Sequence, residues 1–349
     1  MVGIYPEYSS LVNEIVQYVI GIKRQCVEDK YENNDKYLEL KPLFVENMER
    51  LFDEFDEFEE LVERVSSDDF NLEQHKDFLR DKLHPLLMTS SIVERIYNKP
   101  LGYPGDYEMI NMMMSDTDLS VGVFSKLIDA LHRESVSARA HKNRLNMLTH
   151  RLVVEADRVD KKQRLFSVLC IGSGPAIEVQ HFIINNKMSN RCLIHFIDFN
   201  EVALEQLECK LTELSEVNRR QPILEYTYTE LTDLLNDGDA TRSLGGIHSY
   251  DMVYCAGLFD YISDQICQKL IDFSALYLRG DGLLSFTNIH PNVPHQHYLE
   301  HALEWTFTYR NEEKMQNLSP PDTKWQVTTD ATGMNVFLDS RKIIEREAS

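Results

Sequence analysis

VLCIGSGPAIEVQHFI, residues 168–183, is an apolar run that breaks into two glycines and a proline and then resumes with helical spacing. A strand that ends in glycines and feeds a helix puts its ligand at the carboxyl edge of a sheet, where backbone approaches closely and helix N–H groups point outward. Gly172 and Gly174, with Ser173 between them, satisfy that requirement. Pro175 suits a first helical turn, where a missing N–H costs nothing. Phosphate readings fare worse. No G-K-[ST] follows, and Ile177 stands where a G-x-G-x-x-G turn would carry its third glycine.

Working outward, LFSVLCI, LIHFIDF, ILEYTYT, YDMVYCA and GLLSFTNI are strand candidates, and the stretches 175–186, 200–217 and 263–279 are long enough for helices between them. Such alternation means a parallel sheet covered on both faces. WQVTTDATGMNVFLDSRKI then supplies two further strands around the turn DATGMN, a hairpin that adds an antiparallel edge. The second strand ends in HFIDFN, and Asp198 at its tip is placed to accept hydrogen bonds from both hydroxyls of a ribose.

Residues 1–160 have a different texture. In LFDEFDEFEELVERV, residues 51–65, apolar positions recur every three or four residues while carboxylates fill the other face, which predicts an amphipathic helix with a solvated acidic side. SARAHKNRLNMLTHRLVVEADRV predicts a long helix leading into the second half. The expected organisation is therefore a helical lid or substrate domain over 1–160 and a ligand-binding α/β domain over 161–349.

Composition narrows the function classes. The chain has 349 residues, 43% of them hydrophobic, and a formal net charge of −21. That length supports a substantial core. The charge opposes a phosphate backbone, so no nucleic-acid partner is expected. No run approaches the roughly 20 apolar residues of a membrane span, and the N-terminus lacks the order of a signal peptide, so a cytoplasmic location is expected. Six cysteines without a C-x-x-C pair argue against disulfides.

IGSGPAIE and IDFN resemble the first and second motifs of the class I S-adenosylmethionine-dependent methyltransferases, and the similarity extends over roughly residues 160–345. The resemblance implies a Rossmann-like seven-stranded methyltransferase sheet, an α/β fold, with an N-terminal helical domain. It also implies S-adenosyl-L-methionine as cofactor. On it, Gly172, Ser173, Gly174, Asp198 and Phe199 are cofactor-binding positions, and the residue beside the adenine falls on Thr229, Glu230 or Leu231. GYPGDYEMI, YCAGLFDYISD, LEWTFTYR and GMNVFLDSRK are similar to a bacterial group that includes enzymes esterifying 3-hydroxy fatty acids. Methyltransferase-like enzymes that cyclise S-adenosylmethionine to an azetidine share the architecture and stay open as an alternative.

Methyl transfer from a sulfonium is a displacement with an activated leaving group, so positioning and desolvation supply much of the catalysis. Cys255, Gly257, Phe259, Asp260 and Tyr261 follow the fourth strand, whose end faces the transferred methyl in this fold, and aromatic faces attract a sulfonium. The same aromatics serve equally as core. His290, at the end of the fifth strand, is the candidate base. With a helix starting near Pro294, His297 and His301 share a face, although no metal is expected because the motif matches no zinc signature. Trp305, Tyr309 and Arg310 would lie on one flank of that helix, with Arg310 as a carboxylate clamp. GYPGDYEMI is expected to close over the ligand with Tyr103, Asp106 and Tyr107, its alternative being a turn between two helices. Arg139, Lys142 and Arg144 are further anion partners. The expected function is O-methylation of a small-molecule acceptor, a carboxylic acid among the candidates. Its alternatives are cofactor cyclisation and a non-catalytic cofactor-binding sensor or scaffold.

Overall fold

A computed structural model describes residues 4–27, 34–65, 72–115, 117, 119–236, 244, 246–320 and 323–342. The chain forms two compact units, Met1–Arg139 with Val293–Thr306, and Ala140–Asn292 with Phe307–Ser349. No helix among the described residues is long and apolar enough to cross a membrane.

The first unit is helical: α1 (Pro6–Val27), α2 (Asn34–Val65), α3 (Leu72–Leu87), α4 (Ser91–Asn98), α5 (Tyr107–Met114) and α6 (Val123–Glu134). The apolar stripe of α2 is buried through Leu51, Phe52 and Phe55, as its spacing predicts. Its acidic side departs from expectation. Asp53, Asp56 and Glu59 meet His295, His297 and His301 at 3.0, 3.4 and 3.4 Å, and Glu59 is fully buried. Asp56 and Glu59 are covered by residues 293–306, about 240 positions away in sequence, so part of a face that reads as solvated is internal, while Asp53, Glu57 and Glu60 stay exposed.

Those later residues form the helix expected near Pro294, with the His297 and His301 rings 5.4 Å apart, but it is short. It winds over 296–302, with Tyr298–Ala302 as a wide π turn, and 304–311 carries no helix. Tyr298 stacks on Phe52 with ring centroids 3.8 Å apart, and its hydroxyl meets His132 at 3.0 Å. GYPGDYEMI is the connection between α4 and α5. Asp106 is buried, caps α5 through the Met109 N–H at 2.8 Å and pairs with Arg95 at 2.8 Å, while Tyr107 is buried at the start of the helix. The turn alternative describes Asp106 and Tyr107, and Tyr103 is half-buried in the loop.

The second unit begins inside α7 (Val136–Asp160), earlier than the expected boundary at residue 160. The reason is packing: Leu148, Leu152, Ala156 and Val159 belong to the core of the sheet, which carries α7 with it. Then follow β1 (Phe166–Ile171), α8 (Ile177–Asn185), β2 (Cys192–Asp198), α9 (Glu201–Val217), β3 (Ile223–Tyr228), α10 (Leu231–Leu235), β4 (Tyr250–Cys255), α11 (Asp264–Tyr277), β5 (Leu278–Ile289), α12 (Glu312–Asn317), β6 (Thr323–Thr329) and β7 (Asn335–Lys342). They form one seven-stranded sheet in the order β3-β2-β1-β4-β5-β7-β6, parallel except for the pairings of β7 with β5 and β6. This is the expected Rossmann-like layout with its terminal hairpin.

Alternation along β1 builds the layers. Val168 and Cys170 face a core shared with α7, α8 and α9, while Leu169 and Ile171 face one shared with α11 and Met315 of α12. Strand order reverses between β1 and β4, so the carboxyl ends of these two strands bound the crevice where an open α/β sheet holds its ligand.

Candidate functional site

Two banks flank that crevice. On the β2 bank, the chain leaving β1 turns through Gly172 and Gly174, with φ of +66° and +49°, before α8 begins. The N–H groups of Gly172 and Ser173 both donate to the Ile197 carbonyl of β2, at 2.8 and 3.2 Å. Gly174 N–H donates to Asp198 Oδ2 at 2.7 Å, Ser173 Oγ to the same oxygen at 3.3 Å, and Asn200 N–H to Oδ1 at 2.9 Å. The Phe199 N–H adds a further bond to this carboxylate. Burial pushes the Asp198 carboxyl upward and these four donors oppose it. The first three amides of the turn are therefore spent inside the protein, and Pro175 has none. They form no phosphate nest, which agrees with the missing P-loop residues.

Around this turn, Phe199 Cε2 lies 3.8 Å from where a Cβ on Gly172 would sit, with Leu258 equally close. Thr229 is buried, its N–H 3.3 Å from the Asp198 carbonyl. Glu230 precedes α10 and accepts the Tyr228 hydroxyl at 2.9 Å. The β2 bank thus gathers Gly172, Ser173, Gly174, Asp198, Phe199, Thr229 and Glu230, most of the residues assigned to the cofactor from sequence.

The β4 bank differs from its reading. Phe259 is fully buried and stacks on Phe286, centroids 5.0 Å apart, within the sheet core. Its ring packs the protein and offers no open face to a sulfonium. Cys255 is also fully buried, and burial drives its thiol far above the usual range, so it stays protonated. Tyr261 ends a 3-10 turn over Leu258–Tyr261, with its ring 5.9 Å from Phe307.

Arg310 is corrected most completely. It is 1% exposed, and its guanidinium donates from Nε to Asp264, from Nη1 to Phe259 O and Asn288 Oδ1, and from Nη2 to Ile262 O and Asp264. Four hydrogen bonds to four acceptor atoms, with Nη2 also 2.7 Å from the same Asp264 oxygen, engage every nitrogen of the group. Arg310 ties the loop after β4 to the end of β5 and has nothing left for a substrate carboxylate. His290 is similarly engaged: its Nδ1 accepts the Asn292 N–H at 3.0 Å and its Nε2 lies 3.3 Å from Glu312. A neutral ring in this arrangement has spent its lone pair, so it is no ready base.

What the β4 bank does hold is charge. Asp260 is buried, with Oδ1 accepting the Ile289 N–H at 2.8 Å and Oδ2 3.6 Å from Nη1 of Arg144. Burial raises its carboxyl from the ordinary 3.8 to about 6, against the pull of Arg144. Glu178 of α8, also buried, accepts the Tyr254 hydroxyl at 2.7 Å; burial raises it and Arg144 again opposes the rise. Gly257, at φ +94°, lies directly against the Arg144 guanidinium. Sequence reading grouped Arg144 with Arg139 and Lys142 as possible anion partners and passed over Glu178. Each carries the same readable signal, a charge in a buried helical row: Arg144 precedes Leu148, Leu152 and Ala156 at four-residue steps, and Glu178 precedes Phe182 by four.

Two open recesses mark the surface, one of about 380 Å³ beside Arg80 and His84 and one of about 340 Å³ beside Arg151 and Trp325. Neither includes the glycine turn, so backbone and buried polar groups locate the site better than cavity size.

No protein-family profile and no curated relative matches the chain. Among solved structures it is similar to a possible exported protein from Bordetella parapertussis, with 13% identity and a TM-score of 0.55 over 98% of this chain and all of that one. It is also similar to magnesium protoporphyrin IX methyltransferase from Synechocystis PCC 6803 with bound SAH, with 12% identity and a TM-score of 0.44 over 77% of this chain and 99% of that one. At 13% identity the first of these likenesses shows the fold alone.

Proposed function

We propose that this chain is an S-adenosylmethionine-dependent methyltransferase acting on a small molecule, with oxygen of a carboxylate or hydroxyl as the acceptor atom. The observation that carries the reading is the glycine turn folded onto Asp198 at the point where strand order reverses. The turn brings bare backbone to the carboxyl edge while withholding its amides from phosphate, which suits an uncharged nucleoside moiety better than a pyrophosphate. The residues fit the cofactor. The bond from Ser173 to Asp198, at 3.3 Å, is longer than those from Gly174 and Asn200, and a ribose hydroxyl would take its place. Phe199 and Thr229 offer apolar surface and a short polar side chain beside it for a base.

When bound, S-adenosylmethionine supplies a methyl group on an activated leaving group. The chain's part is then to hold, orient and dehydrate. With Cys255 protonated, Arg310 saturated and His290 paired at both nitrogens, none of these acts as nucleophile, clamp or base, which favours catalysis by alignment. An acceptor carboxylate is ionised at neutral pH and asks for no base.

Calorimetric titration with S-adenosylhomocysteine tests the reading. Wild-type protein should bind, and Asp198→Ala should lose roughly 1–3 kcal/mol of affinity, the range for bonds to a charged acceptor. The variant should also melt earlier, because Asp198 organises the turn. A folded wild type that binds neither S-adenosylmethionine nor S-adenosylhomocysteine at millimolar concentration sinks the proposal. Product analysis then separates transfer, which releases S-adenosylhomocysteine only with an acceptor, from cyclisation, which releases methylthioadenosine without one.

A further inference from the structure

Arg144 is 7% exposed, yet its environment does not complete it. Nε is buried with no hydrogen-bond partner, and the one ion pair the residue makes among the described residues is the 3.6 Å approach of Nη1 to Asp260, longer than a hydrogen bond. Arg310, on the same bank, shows what a guanidinium with a purely architectural task looks like in this fold: all three nitrogens hydrogen-bonded, to four acceptor atoms. Removing a guanidinium from water without supplying acceptors is costly, and the cost falls at the crevice between β1 and β4. Space there is reserved for it. A Cβ on Gly257 would come within 3.3 Å of Nη1 and 3.4 Å of Nη2, so only glycine leaves the flat of the guanidinium clear.

We propose that Arg144 is the carboxylate-binding residue of the crevice, pairing its unmatched donors with a ligand carboxylate while bare backbone at Gly257 leaves room for the pair. A planar fork of N–H groups matches two carboxylate oxygens as an ammonium does not. Asp260 Oδ2 holds the cation in place without engaging it in a hydrogen bond, and Glu178 adds a second carboxyl close enough to feel its charge. Together they stabilise the charge of Arg144 before the ligand arrives. The inference rests on the cofactor reading above and sharpens it. The same chemistry has two sources, the amino-acid end of the cofactor and an acidic acceptor.

Arg144→Gln, with Arg144→Lys beside it, separates them by calorimetry. Two adenosyl ligands are compared: S-adenosylhomocysteine, which has the carboxylate, and 5′-methylthioadenosine, which lacks the amino-acid end. If the cofactor supplies the carboxylate, Arg144→Gln weakens S-adenosylhomocysteine roughly tenfold or more, leaves methylthioadenosine unchanged, and Arg144→Lys recovers part of the loss. If the acceptor supplies it, both adenosyl ligands bind the variant normally, whereas decanoate or benzoate added to the S-adenosylhomocysteine complex binds wild type and not Arg144→Gln. Either pattern supports the inference. Arg144→Gln that binds all these ligands as wild type does overturns it. So does a variant with a lowered melting temperature that loses both adenosyl ligands equally, the mark of a structural residue. Wild type that binds neither adenosyl ligand overturns the cofactor reading instead, and with it this refinement.

Discussion

The two banks of the crevice solve the problem of buried polar groups in opposite ways. On the β2 bank every donor of the glycine turn finds an acceptor, and the four bonds converging on Asp198 match the roughly four acceptor sites a carboxylate offers. On the β4 bank a guanidinium is brought equally far from water and left without a hydrogen bond at Nε. Satisfied groups of the first kind build shape: they fix where backbone can meet a ligand. Unsatisfied groups of the second kind store a demand that a ligand of the right charge meets. Arg310 belongs to the first kind although it sits on the second bank, and that is the sharpest place to break the distinction.

Arg310→Ala should therefore act on stability before it acts on function. It strips the acceptors Phe259 O, Ile262 O and Asn288 Oδ1 of their donor in a buried setting, a loss on the order of 3–5 kcal/mol. Chemical denaturation should show it as a shifted midpoint. A variant with wild-type stability but lost carboxylate binding would return Arg310 to the role of a clamp and merge the two kinds.

That reversal shows what the sequence could disclose. The strands were legible because each is a short apolar run bounded by polar residues, and the glycine turn because it interrupts one of them. Asp198 was legible by its place at a strand tip. Arg310 was misread through an assumed helix: over 304–311 the chain carries none, and the Thr308 and Arg310 N–H groups are bound to Asp260 O and Ile289 O, so helical facing says nothing about its side chain. On the acidic face of α2, Asp56 and Glu59 depart from the reading for a different reason. Their histidine partners lie some 240 residues later, and no local pattern announces a distant cover.

Asp260 offers a second way to sharpen the comparison, through pH. Its carboxyl rises from 3.8 to about 6 on folding, so the folded protein holds the proton more tightly than the unfolded chain. The associated stabilisation is complete below the unfolded value and is lost as pH rises through about 6. At about 1.4 kcal/mol per unit, the shift is worth about 3 kcal/mol across that window. Asp260→Asn keeps the acceptor for the Ile289 N–H and removes the titration. Wild-type stability minus variant stability should accordingly increase as pH falls from 7 to 4. A flat difference across that range would mean that Asp260 stays ionised, fully matched by Arg144, and that the β4 bank holds no unmet charge.

The smallest expected effect compares one glycine from each bank. Gly172 and Gly257 both adopt left-handed backbone, so alanine at either introduces strain of roughly 1–2 kcal/mol. Their surroundings differ. A Cβ on Gly172 meets Leu258 and Phe199 at 3.6–3.8 Å, ordinary contact distance, on the surface proposed for the nucleoside. A Cβ on Gly257 meets only the Arg144 guanidinium among its nearest atoms, and at distances that force the side chain to move. Gly172→Ala should consequently weaken S-adenosylhomocysteine and methylthioadenosine alike by narrowing the approach to the turn. Gly257→Ala should spare methylthioadenosine and weaken, by a few-fold, only a ligand that brings a carboxylate to Arg144, because the guanidinium is displaced while the turn is untouched. Calorimetry on the pair reads the difference directly. If the two alanines weaken the same ligands in the same proportion, the guanidinium is not a separate binding element, and the crevice has one bank that matters to a ligand and not two.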